Sequence, residues 1–248
     1  MSIREFADGG YKYIAGVFQY SGGVAALEGY EIVRVKFRRP IRLKEGFLRI
    51  DQYLRDIGRP RAALCACELR SPAPFAETDF KSFNELYVVT LEDWHIFHQG
   101  NNPVARTNVC PGIQRPSEPE FYAFSFTIPS HHSRSSFVIS GSGEVPEGKN
   151  NYRDHIVRLD DTSAIGLREK AKFVMSAMET RLALLGFGWH QTTDTQIYTV
   201  YDFHPFFEDL ILRRGGARFG ATWQYARPPV VGLDFEMDCR GVWTEHML

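Results

Sequence analysis

Three segments of the chain carry apolar residues every three or four positions, which is the spacing of one face of an α-helix. They span residues 43–58, 78–97 and 167–186. Gly58 and Gly186 follow the last apolar positions of the first and third segments, where glycine commonly ends a helix. Thr78 or Asp79 is expected to cap the second segment. The pattern therefore predicts three amphipathic helices.

Between these segments lie runs rich in β-branched and aromatic residues, a composition typical of β-strands. The clearest runs are YKYIAGVFQY, YEIVRVKF, RAALCACEL, EFYAFSFTI, SSFVISGS, TDTQIYTVY and GLDFEMDCRGVW. Strands and helices alternate without the regular rhythm of a parallel sheet. We therefore predict an α+β fold in which mixed sheets carry helices on one face.

The order of these elements repeats along the chain. A helix that ends Leu54-x-x-x-Gly58 and a helix that ends Leu182-x-x-x-Gly186 are each followed by a strand, a further helix and two more strands. The polar stretch PSHHSRSS, which begins at Pro129, separates the two sets. The repeat predicts two β-β-α-β-α-β units, one over residues 1–129 and one over residues 130–248.

Charge and composition narrow the function. The chain has 248 residues with 29 basic and 30 acidic side chains, a net charge of −1 and an apolar fraction of 44%. No basic stretch favours nucleic acid, and no apolar run is long enough for a membrane span or signal peptide. The four cysteines and eight histidines lack metal-site spacing, and no phosphate-binding glycine motif precedes a helix. We expect a cytoplasmic protein without metal or cofactor that binds a small molecule.

One arginine stands out against this background. Arg106 lies in the β-prone segment NPVARTNVCPG, among Val, Thr and Cys residues. A charge in such a strand is costly unless something pairs with it. The pairing group could be solvent, a protein carboxylate or a bound organic acid.

Several motifs of the chain resemble those of the Rid family, the reactive intermediate deaminases also called the YjgF family. In the second half these are FVISGSGEVPEG, LALLGFG, TDTQIYTVYDFHPFF and GLDFEMDCRGV; in the first half they are LRDIG, FKSFNELY and ARTNV. The resemblance implies a chorismate-mutase-like fold, and it assigns Arg106 the binding of the substrate carboxylate. Family members are trimers with pockets between subunits, so the resemblance also implies a homotrimer.

Neither half carries the full set of family residues. The second half has Thr222 where the family has its arginine, and the first half lacks the Ser-Gly pair and a matching acid. Together the halves supply one set, with Arg106 from the first and Ser140, Gly141 and Glu236 from the second. We therefore expect a fused tandem whose pocket combines both halves.

The resemblance implies a role for each of these residues, and each also has a simpler interpretation. Ser140 and Gly141 would orient the nitrogen end of the substrate, or they form the turn at a strand end. Glu236 would position water and shuttle a proton. Otherwise it belongs to a solvent-facing row with Asp234 and Asp238.

Asn108 could offer an amide donor to the same pocket. The function expected from these assignments is cofactor-independent hydrolytic deamination of a small imine or enamine carboxylic acid, of the 2-imino acid or aminomuconate type. Two alternatives stay open. One is a non-catalytic protein that binds a metabolite, and the other is a chorismatase-like hydrolase of a cyclic carboxylate.

Overall fold

The structure is a computed structural model that describes residues 2–131, 134–149, 151–216 and 218–248. Its strands are β1 Ser2–Phe6, β2 Tyr11–Ala15, β3 Gly23–Ala26, β4 Tyr30–Arg42, β5 Leu64–Arg70, β6 Ala105–Pro111, β7 Glu120–Pro129, β8 Phe137–Gly143, β9 Asp194–Thr199, β10 Thr222–Arg227, β11 Glu236–Gly241 and β12 Thr244–Met247. The helices are α1 Leu43–Asp56, α2 Glu77–Asp93, α3 Ala164–Leu185 and the short α4 His204–Phe206, which continues as a π-helix over Phe207–Gly216.

The strands form one mixed sheet in the order β1-β2-β3-β8-β11-β9-β10-β6-β5-β7-β4-β12. The predicted α+β class is confirmed, but a single sheet replaces the expected separate sheets. The antiparallel pairing of β10 with β6 explains this difference, since it joins the strands of the two halves. The N-terminal strands also depart from the prediction. The run predicted as one strand from Tyr11 turns back after Ala15, and β3 then pairs with β8 of the second half.

The sheet order therefore joins residues 2–26 to strands that follow residue 136. The division of the chain at residues 129 and 130 stays a prediction, and the predicted linker includes residues 132 and 133, which lie outside the described residues.

The three predicted helices are present, and their ends follow local rules. Ser163 caps α3 by accepting a hydrogen bond from the amide of Gly166 at 3.1 Å. Gly186 ends the same helix with a left-handed φ of 88°. The expected cap of α2 at Thr78 or Asp79 is wrong, since α2 begins at Glu77 without a side-chain cap.

Two apolar cores lie between the helices and the sheet. In the first, α1 and α2 pack on β4, β5 and β7 through residues such as Phe47, Tyr87 and Phe124. In the second, α3 packs on β8, β9 and β11 through residues such as Met178 and Ile139. The helices thus cover one face of each half, as the alternation of apolar positions in the strands requires.

The opposite face of the strands is polar yet buried. Glu68 of β5 binds Arg34 of β4 and also Arg240 of β11, whose Nη1 lies 2.8 Å from its Oε1. The amide of Arg106 on β6 donates to Ser140 Oγ on β8 at 3.0 Å, although four steps of the sheet order separate these strands. A flat sheet would hold them about 19 Å apart. The sheet therefore curls so that the two halves face each other.

Candidate active site

A pocket opens where β6 of the first half meets β8 and β11 of the second. Side chains from both halves of one chain form its wall. The lining residues are Tyr20, Phe80, Arg106, Asn108, Gly141, Ser142, Gly143, Val145, Glu147, Tyr152, Pro229, Val230, Leu233 and Glu236.

Arg106 reaches the pocket almost fully buried, with 3% of its surface exposed. Its guanidinium lies among the rings of Tyr20, Phe80, Phe83 and Tyr87, at 4.9 to 5.8 Å from their centroids. Nη1 is buried without a hydrogen-bond partner, and no carboxylate of the described residues forms an ion pair with the group. Burial lowers its pKa. The simpler interpretations, a solvated or ion-paired arginine, are therefore wrong, and the site is ready for an anion.

Asn108 adds a second free donor. Its Oδ1 accepts a hydrogen bond from Ser71 Oγ at 2.9 Å, which fixes the orientation of the amide. Its Nδ2 is buried without a partner, like Nη1 of Arg106. Two unpaired donors from alternate positions of one strand thus line the pocket, and both suit carboxylate or carbonyl oxygens.

Glu236 lies across the pocket wall, packed against Gly141. A Cβ atom at Gly141 would overlap Oε1 of Glu236, so only glycine permits this approach. Burial raises the pKa of Glu236 well above its usual value, and the charges of Asp238 and Glu144 raise it further. The described residues form no hydrogen bond or ion pair with this carboxyl group. Burial therefore favours the protonated form of this carboxyl group, which has no partner in the described residues and can exchange a proton with a ligand.

The row formed by Asp234, Glu236 and Asp238 is buried throughout, at 7%, 4% and 3% exposure. The interpretation of a solvent-facing row is therefore wrong. Its outer members have partners: Asp234 lies 2.5 Å from Lys170 Nζ, and Asp238 accepts hydrogen bonds from Thr107 and Tyr198. Glu236, the middle acid of the row, is the one without a partner in the described residues.

Ser140 lies behind the pocket wall rather than in it. Its hydroxyl accepts from the amide of Arg106 at 3.0 Å and donates to the carbonyl of Ser21 at 2.6 Å. The amide of Gly141 is also engaged, since it donates to Thr107 Oγ1 at 3.1 Å. The contacts of Ser140 and Gly141 join β8 to β6 beside the pocket, and they fix the backbone of the strand that carries Arg106.

Tyr20 and Glu147 of the lining were not predicted from the sequence, and neither was Arg181, which binds Glu147 beside the pocket. Arg181 is 2% exposed, and it donates from Nη1 to the carbonyl of Ser140 at 2.8 Å and from Nη2 to Glu147 Oε1 at 2.7 Å. A signal was present, because Arg181 falls three residues after Met178 on the apolar face of α3. An arginine on such a face needs a buried partner.

Among the residues that the structure describes, no three His, Cys, Asp or Glu side chains group as a metal site would require. The four cysteines are free and buried. No described helix combines the length and apolar character needed to cross a membrane.

Comparison with solved structures gives the class of the fold. A chorismatase structure aligns over 92% of this chain and 79% of its own, with 10% sequence identity and a TM-score of 0.55. The YjgF gene product of E. coli aligns over 43% of this chain and 80% of its own, with 13% identity and a TM-score of 0.31. The chorismatase match agrees with the Rid-like fold predicted from sequence, and the tandem fusion stays a prediction.

The family follows from sequence comparison. The model of a family described as 2-aminomuconate deaminase CnbZ matches residues 3–246, and the chain belongs to this family. It is 49% identical over 245 residues to the 2-amino-5-chloromuconate deaminase of Comamonas testosteroni, with 98% of each chain covered. Both names describe deaminases, which confirms the predicted enzyme class, a deaminase that acts on a C–N bond.

Proposed function

We propose that this chain hydrolyses the C–N bond of an enamine carboxylic acid of the 2-aminomuconate type without a metal or organic cofactor. The observation that carries the substrate class is the buried guanidinium of Arg106, whose Nη1 has no partner in the described residues. The 2-aminomuconate ion is a conjugated dicarboxylate with its amino group beside one carboxylate. The family and the relative named above share this substrate class in their names.

Arg106 and Asn108 bind the carboxylate next to the reacting carbon. A guanidinium grips a planar carboxylate with two parallel hydrogen bonds, and the surrounding rings exclude water that would weaken them. Nδ2 of Asn108 supplies a further donor on the same side. These contacts hold the reacting carbon at a fixed distance from Glu236.

Glu236 carries the protons in four balanced transfers. Its neutral carboxyl group first protonates a chain carbon of the enamine, which leaves a protonated imine and a carboxylate. That carboxylate removes a proton from water as the water oxygen bonds to the imine carbon. The regained proton passes to nitrogen, ammonia leaves with the C–N electron pair, and the hydroxyl proton returns to Glu236 as the carbonyl forms. Burial raises the pKa of Glu236, which favours the protonated form that the first step requires.

In this scheme Ser140 and Gly141 do not react; they position Arg106 and Glu236. Gly141 gives Glu236 the space beside the substrate. Ser140 fixes the backbone of Arg106 to the opposite half of the chain.

The test is ammonia release from 2-aminomuconate, measured together with the loss of its ultraviolet absorbance. We expect turnover by the parent protein and a loss of at least about 100-fold in kcat/KM for Arg106→Gln, since two charge-assisted hydrogen bonds are lost. Arg42→Gln, at an exposed arginine paired with Glu118, is the matched control and should keep full activity. Ligand binding without ammonia release would leave only the metabolite-binding alternative.

The proposal extends to a homotrimer, in which further copies of the chain cover exposed apolar surface. Trp223 and Tyr225 of β10 are 45% and 49% exposed, and such neighbouring aromatic side chains suit a contact between copies. Light scattering should give three times the chain mass of 28.4 kDa. A mass of one chain would remove the trimer and leave the pocket proposal standing, because a single chain supplies Arg106, Asn108 and Glu236.

A further inference from the structure

The pocket contains a second carboxylate that the proton transfers do not use. Glu147 lines the pocket with Arg106 and Glu236, and 18% of its side chain is exposed. Its Oε1 accepts from Nη2 of Arg181 at 2.7 Å. The described residues form no hydrogen bond to its Oε2. One oxygen is therefore fixed by the protein, and the other is available to a ligand.

Arg181 holds Glu147 in place. Its Nη1 donates to the carbonyls of Ser140 and Gly141, at 2.8 and 3.4 Å, so the guanidinium is anchored to the strand that packs against Glu236. Glu147 lies close to two tyrosines, and Tyr20 and Tyr152 also line the pocket. Burial is the main cause of the raised pKa of both hydroxyl groups, and the charge of Glu147 raises both further.

One basic residue and two carboxylic acids line the pocket. Arg106 is the cation, and its Nη1 has no hydrogen-bond partner in the described residues. Burial favours the neutral form of Glu236, and this acid changes its charge with each proton transfer. Glu147 is the remaining anion, and it has a free oxygen.

We propose that Glu147 binds the positively charged nitrogen of the substrate, and that Arg181 is the positioning residue that aims it. This inference rests on the proposed deaminase function and adds a recognition group for the amine. The protonated imine and the departing ammonium group both carry a positive charge beside the carboxylate bound to Arg106. Glu147 takes no part in the proton transfers of the reaction, and its contact with nitrogen serves binding alone.

Binding of two stable ligands tests the inference without turnover. Adipate and 2-aminoadipate are dicarboxylates that differ only by the amine, and calorimetry measures both. The parent protein should prefer 2-aminoadipate. Glu147→Gln should lower the affinity for 2-aminoadipate by about 10- to 100-fold, because the charged contact to nitrogen is lost. It should change the affinity for adipate by less than about two-fold, because adipate has no nitrogen. Glu179→Gln, at another arginine-paired glutamate of the second half, is the control and should leave both affinities unchanged.

Arg181 variants test the positioning role. Arg181→Met should reduce the preference for 2-aminoadipate, and Arg181→Lys should restore part of it, because lysine keeps a cation beside Glu147. Equal weakening of both ligands by Glu147→Gln, or no preference for the amine in the parent, would overturn the inference. A parent that prefers the amine but releases no ammonia from 2-aminomuconate would instead refute the deaminase proposal alone.

Discussion

The carboxyl group of Glu236 packs directly on the backbone of Gly141, in the space that a side chain at residue 141 would occupy. This contact brings an acid of β11 beside β8, whose Ser140 hydroxyl accepts a hydrogen bond from the amide of Arg106. Glycine is therefore required at residue 141 because the Glu236 carboxyl group fills the space beside it.

Gly141→Ala should displace the Glu236 carboxyl group and reduce kcat by about 100-fold or more, because even a shift of 1 Å at a reacting group is costly. The fold should survive, with a Tm drop of only a few degrees. Gly16→Ala is the control, since its added carbon meets only ordinary contacts at 3.4 Å or more. Full activity of Gly141→Ala would show that the position of Glu236 is unimportant.

Arg106→Met should leave the free energy of unfolding unchanged or raise it by about 1 kcal/mol, although it removes activity. The reason is that Arg106 is a buried cation without an ion pair in the described residues, and an apolar side chain relieves its desolvation. Arg240→Met is the contrast: Arg240 pairs with Glu68 and Asp238, and its loss should cost about 3 kcal/mol. Urea unfolding measures both. Comparable destabilisation by the two variants would contradict the account of Arg106 as an unpaired group.

Ser140→Ala should destabilise the protein by about 1 to 3 kcal/mol, because the Arg106 amide and the Ser21 carbonyl lose their shared partner. Its effect on kcat should be much smaller than that of Glu236→Gln. Steady-state kinetics with both variants gives the comparison. Equal losses of kcat would assign Ser140 a direct part in the chemistry.

Glu236→Gln should stabilise the protein at neutral pH. In the parent, folding holds the pKa of Glu236 above the usual value of 4.5, so the folded state binds more protons and stability falls as the pH rises past that value. The variant has no carboxyl group at residue 236, so it does not lose stability in this way as the pH rises. The difference in unfolding free energy between variant and parent should therefore be small at pH 4 and grow with pH, by at most about 1.4 kcal/mol per unit. A difference that does not change with pH would contradict the raised pKa.

The helices and most strands were predictable because their apolar positions face one core each. Leu54, Tyr87 and Met178 lie where the helical spacing placed them. Strands β1, β3, β10 and β12 were missed. Two of them, β3 and β12, are only four residues long and pair with strands far along the chain. The pairing of β3 with β8 is such a long-range contact, and no local pattern encodes it.

The site was predictable in some of its residues but not in its geometry. Arg106 and Glu236 were named from motifs, and the structure brings them to one pocket. The burial of the row around Glu236 was not predictable, because the alternation of DFEMD defines a face without saying what covers it. That cover is β6 of the other half, where Thr107 donates to Asp238 at 2.7 Å.

A crystal structure of Glu236→Gln with muconate, the substrate analogue without nitrogen, tests the central claim most directly. The account predicts one ligand carboxylate about 3 Å from Arg106 Nη1, with the carbon chain extending past residue 236. A ligand bound elsewhere, or a carboxylate held in the pocket without contact to Arg106, would contradict it.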